Sequence, residues 1–298
     1  MPNRVVIVGA GEIGSAVAAL VKTSGAKIER WDKDASKVPT QRDLDAIVHN
    51  TDVLFFCLPS WHMRDAAASV APLLRKKTIV VTVANGMELR SRKTMDALLT
   101  DLLPRGQAVA LLYGPMLAEE LDLGLMGAAV VATKRRAAYD AIRKLFAKSR
   151  LRLEHSADVR GTALCGVLKN VYAISLGIVS ALEMGGNAKG WFIQQIVSEM
   201  TCVLKRLNKG RGEAALGPAG LGDLVCTGFS GYSSNHRVGR ELVEGRGITK
   251  LSEGFVSLPP LLRSLGPSAS RFPLLMTIKR VVIGKKNAKR EFERFVRG

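Results

Sequence analysis

Three glycines and one carboxylate near the start of the chain carry the first chemical signal. Gly9-Ala10-Gly11-Glu12-Ile13-Gly14 is a GxGxxG run, and Asp32 follows eighteen residues after its last glycine. The run is preceded by Arg-Val-Val-Ile-Val at 4–8, a β-branched stretch without polar alternation that reads as a buried strand. From Ser15 to Thr23, Ala, Val and Leu recur at helical spacing. Between a strand and a helix, Gly9 permits the tight turn, Gly11 lets the backbone approach a pyrophosphate, and Gly14 lets the helix pack on the strand. Backbone amides at the helix start, around Glu12 and Ile13, would donate to that pyrophosphate, and the helix dipole favours its charge. Asp32 falls at the end of the second strand, where an acid accepts from the adenosine ribose 2′-hydroxyl and repels a 2′-phosphate. NAD is therefore the expected cofactor. NADP stays open, because Asp32-Lys33-Asp34 also reads as a polar bend and Lys33 as a partner for a 2′-phosphate.

The elements that must position these residues alternate. Strands are expected at 26–31, 53–58, 78–83, 108–113 and 128–132, with helices at 63–74 and 137–148 among them. Such alternation builds parallel β-α-β units and a doubly wound, mainly parallel sheet. Pro59, Ser60 and Trp61 follow the third strand, at the end where open α/β sheets hold ligands. After Leu153 the character changes. Residues 161–207 are rich in Ala, Leu, Val and Ile without strand-like alternation, so long buried helices are expected, broken at Gly185-Gly186-Asn187. A glycine-rich stretch at 217–231 leads to further helices. The division expected is a dinucleotide-binding α/β Rossmann domain over 1–153 and an all-α substrate and catalytic domain over 154–298.

Three further segments lie in order along the chain. They are Gly114-Pro115-Met116-Leu117-Ala118-Glu119-Glu120, then Gly166-Val167-Leu168-Lys169-Asn170-Val171, then Gly220-Leu221-Gly222-Asp223-Leu224 running on to Ser233-Ser234-Asn235-His236-Arg237. With the N-terminal glycines, their order and spacing resemble the NAD(P)-dependent glycerol-3-phosphate dehydrogenases. Asp158, Gly186-Asn187-Ala188-Lys189 and Glu253-Gly254 extend the resemblance over nearly the whole chain. It implies hydride transfer between NAD(P)(H) and glycerol 3-phosphate or dihydroxyacetone phosphate. It implies Lys169 as the acid/base and Asp223 as the group that orients it and the substrate. It further implies cofactor contacts at Pro59, Ser60, Ala118 and Glu253, and substrate contacts at Asn85, Gly114, Asn170, Ser233, Ser234 and Asn235. The chemistry is coherent, since hydride arriving at a ketone carbon leaves charge on oxygen that a positioned ammonium stabilises and protonates. An apolar helix such as 167–178 is a place where burial weakens a lysine's hold on its proton. A plain salt bridge at a helix contact is the other reading of Lys169, a turn or N-cap residue that of Asp223, and a helix contact that of Asn170.

The chain also departs from that pattern. The family's Lys-Gly after the fourth strand is Asn85-Gly86, the serine of its Gly-Pro-Ser loop is Met116, and the arginine of its Ser-Arg-Asn segment is Ser234. The connection from Asp32 to Asp52 is short. If Ser233 begins a helix, residues 234 and 237 share a face, and Arg237 is expected to reach the phosphate that residue 234 no longer holds, with His236 a lesser candidate. These losses also support two alternatives: a dehydrogenase of the same architecture acting on another small 2-hydroxy or 2-keto compound, and a non-catalytic dinucleotide-binding protein with a basic polyanion-binding surface.

Charge alone does not choose between them. The 298 residues carry 44 Lys and Arg against 26 Asp and Glu, a net +18, with clusters at 75–77, 134–136 and 285–297. Solvated surface is the expected role of those clusters, and the field favours a small anionic substrate. Aromatic residues are 5% of the chain and do not interleave with the cations, so nucleic acid is not the expected partner. Cys57, Cys165, Cys202 and Cys226 form no CxxC pair, so neither disulfides nor zinc are expected, and no cluster has metal-ligand spacing. No apolar run approaches the roughly 20 residues of a membrane span. A cytoplasmic protein without membrane insertion is expected, with the apolar helices at 164–203 either filling a core or forming a homodimer face. His49 and His155 are expected at the surface, and the nine methionines in the core.

Overall fold

A computed structural model describes residues 2–298 and resolves two compact units, the first reaching Asn85 and resuming over Lys93–Ala163, the second formed by Gly86–Arg92 and Leu164–Gly298. In the first unit β1 (Arg4–Val8) leads into α1 (Glu12–Lys22) and β2 (Lys27–Trp31). Then come α2 (Leu44–Val48), β3 (Val53–Phe56), α3 (Met63–Val70), β4 (Ile79–Thr82), α4 (Met95–Leu102) and β5 (Ala108–Tyr113). The unit closes with α5 (Ala118–Asp122), β6 (Gly127–Ala132), α6 (Arg136–Phe146) and β7 (Leu151–Ser156). The seven strands form one sheet in the order β2-β1-β3-β4-β5-β6-β7.

Strand alternation sorts the apolar side chains to two faces. Val5 and Ile7 join Val53, Phe55 and Val81 against α1 and α6, while Val6 and Val8 join Leu54, Phe56 and Val80 against α3 and α4. With both faces covered, continuous apolar strands are what burial requires. The sheet is mainly parallel, as expected, with one antiparallel pairing and one strand beyond those expected. β6 runs antiparallel to β5: the connection through α5 returns the chain beside β5, and the amide of Ala128 donates to the carbonyl of Pro115 at 3.2 Å. A further strand, β7, pairs parallel with β6 at the sheet edge, where Leu151 and Leu153 turn to the core and Arg152 and Glu154 to solvent. His155 lies in that strand rather than on the open surface, its ring 4.9 Å from that of Tyr139 and 3.0 Å from the Thr133 carbonyl oxygen.

The second unit is built on α7 (Val159–Ala181), whose first residues belong to the first unit, and α8 (Gly185–Leu207). Among the described residues α7 alone is long and apolar enough by composition to cross a membrane, so the expectation of no such run is corrected. Every side chain from Leu164 to Val179 is buried, which is why the helix is apolar all round rather than on one stripe. The break before α8 falls at 182–184, with Glu183 at φ +53, and Gly185-Gly186-Asn187 form the first turn of α8 instead. The glycine-rich stretch likewise proves helical. A π turn at Pro218–Gly222 feeds α9 (Asp223–Phe229), followed by α10 (Ser234–Glu244), α11 (Glu253–Leu265), α12 (Pro273–Val282) and α13 (Ala288–Arg297).

Helices α7 and α10 meet at backbone distance. A Cβ on Gly239 would stand 2.1 Å from the Ile174 carbonyl oxygen, and one on Gly177 would stand 2.2 Å from that of His236. Gly239→Ala is therefore expected to lower stability by about 1–3 kcal/mol, the usual result of overpacking. Gly231→Ala, in open space, is expected to stay within about 0.5 kcal/mol of the parent, both read from urea denaturation midpoints.

Candidate active site

In the second unit a single buried cation sits inside α7. Lys169 Nζ lies 3.0 Å from Asp223 Oδ2 and donates to Thr227 Oγ1 at 3.1 Å, and Thr227 in turn donates to Asp223 Oδ1 at 2.9 Å. The lysine and aspartate side chains are 7% and 6% exposed. Asp223 and Thr227 are one turn apart on α9 and so present their oxygens side by side. An ammonium has three N–H donors, and two are committed to this pair. Thr227 escaped the sequence reading. Its signal was the Asp-x-x-x-Thr spacing, which has meaning only if 223–229 is helical, and the surrounding glycines argued for turns.

The residue after the lysine starts a chain of amides. Asn170 Oδ1 accepts from Asn235 Nδ2 at 2.7 Å, and Asn235 Oδ1 accepts from the Gly254 amide at 2.8 Å. Gly254 touches Asn170 so closely that a Cβ there would come within 2.2 Å of the Asn170 carbonyl oxygen. These bonds tie α7, α10 and the start of α11 together, with Glu253 the first residue of α11 after its N-cap Ser252. Ser233 caps α10, its Oγ accepting from the His236 amide at 3.2 Å. One turn into α10, Arg237 Nη2 donates to Ser234 Oγ at 3.2 Å while its Nε lies 3.8 Å from Glu241. His236 is buried beside Arg240 and Lys189. Desolvation first, and then these two cations, push its imidazole below its ordinary pKa.

In the first unit the glycine turn is closed toward the protein and open at one point. Gly9 holds φ +103 and a Cβ on it would stand 2.3 Å from the Cys57 carbonyl oxygen, and a Cβ on Gly14 would stand 2.0 Å from the Gly9 carbonyl oxygen. Around Gly11 no atom lies within 4 Å of where a Cβ would be. Gly11 is also the N-cap of α1 and supplies no side-chain bond, so the first amides of the helix, among them Glu12 and Ile13, have no acceptor within the helix. Asp32 braces this turn. Its Oδ2 accepts from the Ala10 amide at 2.7 Å and its Oδ1 from the Asp34 amide at 2.9 Å, with Lys37 rather than Lys33 beside it at 3.7 Å. The bend and the loop contact thus coexist. An open cradle, unpartnered helix amides and an acid at the end of β2 fit a dinucleotide.

The remaining expected contacts occupy the first unit as follows. Ser60 is buried just beyond β3 after Pro59, and burial of the neighbouring Cys57 pushes its thiol up to about 12. Asn85 is half-buried in the loop after β4, and Ala118 is the buried first residue of α5. Gly114 is pressed against β6, where a Cβ would meet the Ala128 carbonyl oxygen at 2.5 Å. Met116 packs against the sheet core, so the position where the family pattern has a hydroxyl is apolar here. Among the described residues no three His, Cys, Asp or Glu side chains gather as a metal site.

Residues 35–139 match the N-terminal domain of NAD-dependent glycerol-3-phosphate dehydrogenase, and residues 158–293 match its C-terminal domain. The chain belongs to this family. A glycerol-3-phosphate dehydrogenase [NAD(P)+] from Synechocystis sp. is 30% identical over 292 residues, spanning 95% of this chain and 90% of that protein. One from Sphingopyxis alaskensis is 30% identical over 317 residues, spanning 97% and 94%. The crystal structure of glycerol-3-phosphate dehydrogenase from Coxiella burnetii superposes with a TM-score of 0.90 at 25% identity, covering 99% of both chains.

A buried ammonium deprived of its carboxylate is strongly destabilising, whereas an apolar pair of similar volume is often neutral. Asp223→Ala is accordingly expected to lose about 3–5 kcal/mol of stability in urea denaturation. The double variant Lys169→Met, Asp223→Leu is expected to recover most of that loss.

Proposed function

We propose that the protein catalyses the NAD(H)-dependent interconversion of dihydroxyacetone phosphate and glycerol 3-phosphate, with NADP(H) as the weaker alternative. The observation that carries this reading is the buried Lys169–Asp223–Thr227 triangle, in a chain whose other unit holds an open glycine turn before a helix. When bound, the dinucleotide supplies or accepts the hydride. In the reducing direction the substrate carbonyl carbon gains that hydride and its oxygen gains one proton, so that ketone, NADH and a proton give alcohol and NAD⁺. Lys169 binds the oxygen through its third N–H, stabilises the charge that develops there, and hands over the proton from Nζ. Asp223 and Thr227 hold the ammonium in one orientation. Asn170 and Asn235 keep α7 and α10 in register, which fixes where Nζ points.

The substrate phosphate is assigned to Arg237. It stands over Ser234, the position from which the family arginine is missing, and carries a buried Nε without a hydrogen-bond acceptor. Charge selects an anion, and a guanidinium matches its geometry. On the cofactor side, Gly9, Gly11 and Gly14 with the amides of Glu12 and Ile13 take the pyrophosphate. Asp32 takes the ribose hydroxyls and disfavours a 2′-phosphate.

Four outcomes test this assignment. Turnover of dihydroxyacetone phosphate, followed by loss of NADH absorbance, is expected to fall by about 10²–10⁴ in Lys169→Ala, the ordinary worth of a positioned acid/base. The stability-restored double variant is expected to remain inactive, which separates chemistry from folding. Arg237→Ala is expected to raise KM for the phosphorylated substrate by about tenfold to a hundredfold with kcat less affected, since a hydrogen bond to a charged group is worth about 1.5–3 kcal/mol. Unchanged substrate affinity would remove Arg237 from the site. Asp32→Asn is expected to shift the kcat/KM ratio toward NADPH.

A further inference from the structure

The C-terminal helix presents a cationic face that neither the proposed reaction nor the core explains. On α13 the side chains of Ala288, Glu291 and Phe292 are buried and Phe295 half-buried, whereas Lys289, Arg290, Arg294 and Arg297 are exposed. Lys285 and Lys286 are exposed in the preceding turn. None of these six cations forms an ion pair among the described residues, and Glu293 is the one acid on the same outer face. Arg290 and Arg294 stand one turn apart with like charge, an arrangement that disfavours the helix by itself. The helix is nonetheless held firmly. Phe292 stacks on Phe192 at 5.7 Å, Phe295 lies 5.6 Å from Trp191, and Glu291 binds Arg280. Apolar side chains border the cations, with Val296, Ile283 and Trp191 exposed by 47%, 45% and 39%.

We propose that the outer face of α13 and the turn at 283–286 dock the protein on an anionic phospholipid surface. Clustered Lys and Arg on an amphipathic helix are drawn to the negative potential of acidic headgroups, and flanking Trp and aliphatic residues settle at the headgroup–acyl boundary. That apolar border distinguishes this face from one made for nucleic acid, where planar side chains would be free to stack on bases. Trp191 is instead engaged with Phe295 and Phe192. Docking of this kind is peripheral, through side chains that stay at the interface, and is independent of the reaction assigned above.

The test is co-sedimentation of the full chain with vesicles of phosphatidylcholine alone and of phosphatidylcholine with phosphatidylglycerol in equal parts. Binding is expected only to the anionic vesicles and is expected to weaken as salt rises. The triple variant Arg290→Gln, Arg294→Gln, Arg297→Gln is expected to weaken it by about a hundredfold, at the usual worth of three cations near such a surface. Its turnover should match the parent, and its thermal midpoint should not fall below the parent's. A control triple at Lys76, Lys77 and Lys148, also exposed and also changed to Gln, is expected to change binding less than about threefold at the same net charge. Independently of any charge variant, the tryptophan emission of the parent is expected to shift to the blue on anionic vesicles, and Trp191→Phe to abolish that shift. Equal affinity for both vesicles, equal loss in the two triples, or a poly-uridine RNA bound more tightly than the vesicles and lost in the α13 triple would each overturn the proposal.

Discussion

An ammonium buried in an apolar helix has to be answered, and much of the second unit can be understood as the answer to Lys169. Removing a charge from water is expensive unless a counter-charge and hydrogen bonds meet it. Asp223 and Thr227 do so from one face of α9, the helix that a π turn at Pro218–Gly222 feeds. Meanwhile α7 must bury its entire surface, which forces neighbours onto every side of it. Where α10 crosses, glycines on both helices let the backbones touch, and where α11 begins, Gly254 rests on the carbonyl of Asn170. A residue with a side chain at any of these places would push a helix away and carry the amide chain from Asn170 through Asn235 with it.

The glycine turn of the first unit divides its labour differently. Gly9 and Gly14 are required by the protein itself, since added carbons would strike the backbone of β3's end and of the turn. Gly11 is required by nothing in the protein, because open space surrounds it. A glycine with room for a side chain, at the N-cap of a helix that it does not cap, makes sense when something outside the chain comes close. Asp32 connects this turn to β2 by accepting from Ala10, so one carboxylate serves both the shape of the loop and the chemistry assigned to it.

The family departures have different structural meanings. Met116 has been absorbed into the sheet core, which turns a polar position of the loop into packing. Ser234 has instead been joined by Arg237 one turn later, so positive charge stays near the start of α10 although its residue number has changed. Asn85 keeps its place after β4 without the charge found there in the family pattern.

Six of the seven strands of the first unit, the glycine turn and the lysine helix were legible in the chain, because each is written in local periodicity or in short-range spacing. β-branched runs bounded by glycine need no distant partner to be recognised as buried strands. The sequence alone misjudged what depends on neighbours far along the chain. The reversal at β6 and the edge strand β7 follow from Pro115 pairing with Ala128 and from the register of Gly127 with Leu151. The break between α7 and α8 fell on Glu183 rather than on the glycines beside it. Thr227 became a site residue only when 223–229 coiled, for a hydroxyl four residues from a carboxylate is unremarkable until a helix turns both toward the same ammonium. Tertiary structure alone decided that, because burial, and not composition, makes a charge choose its partners.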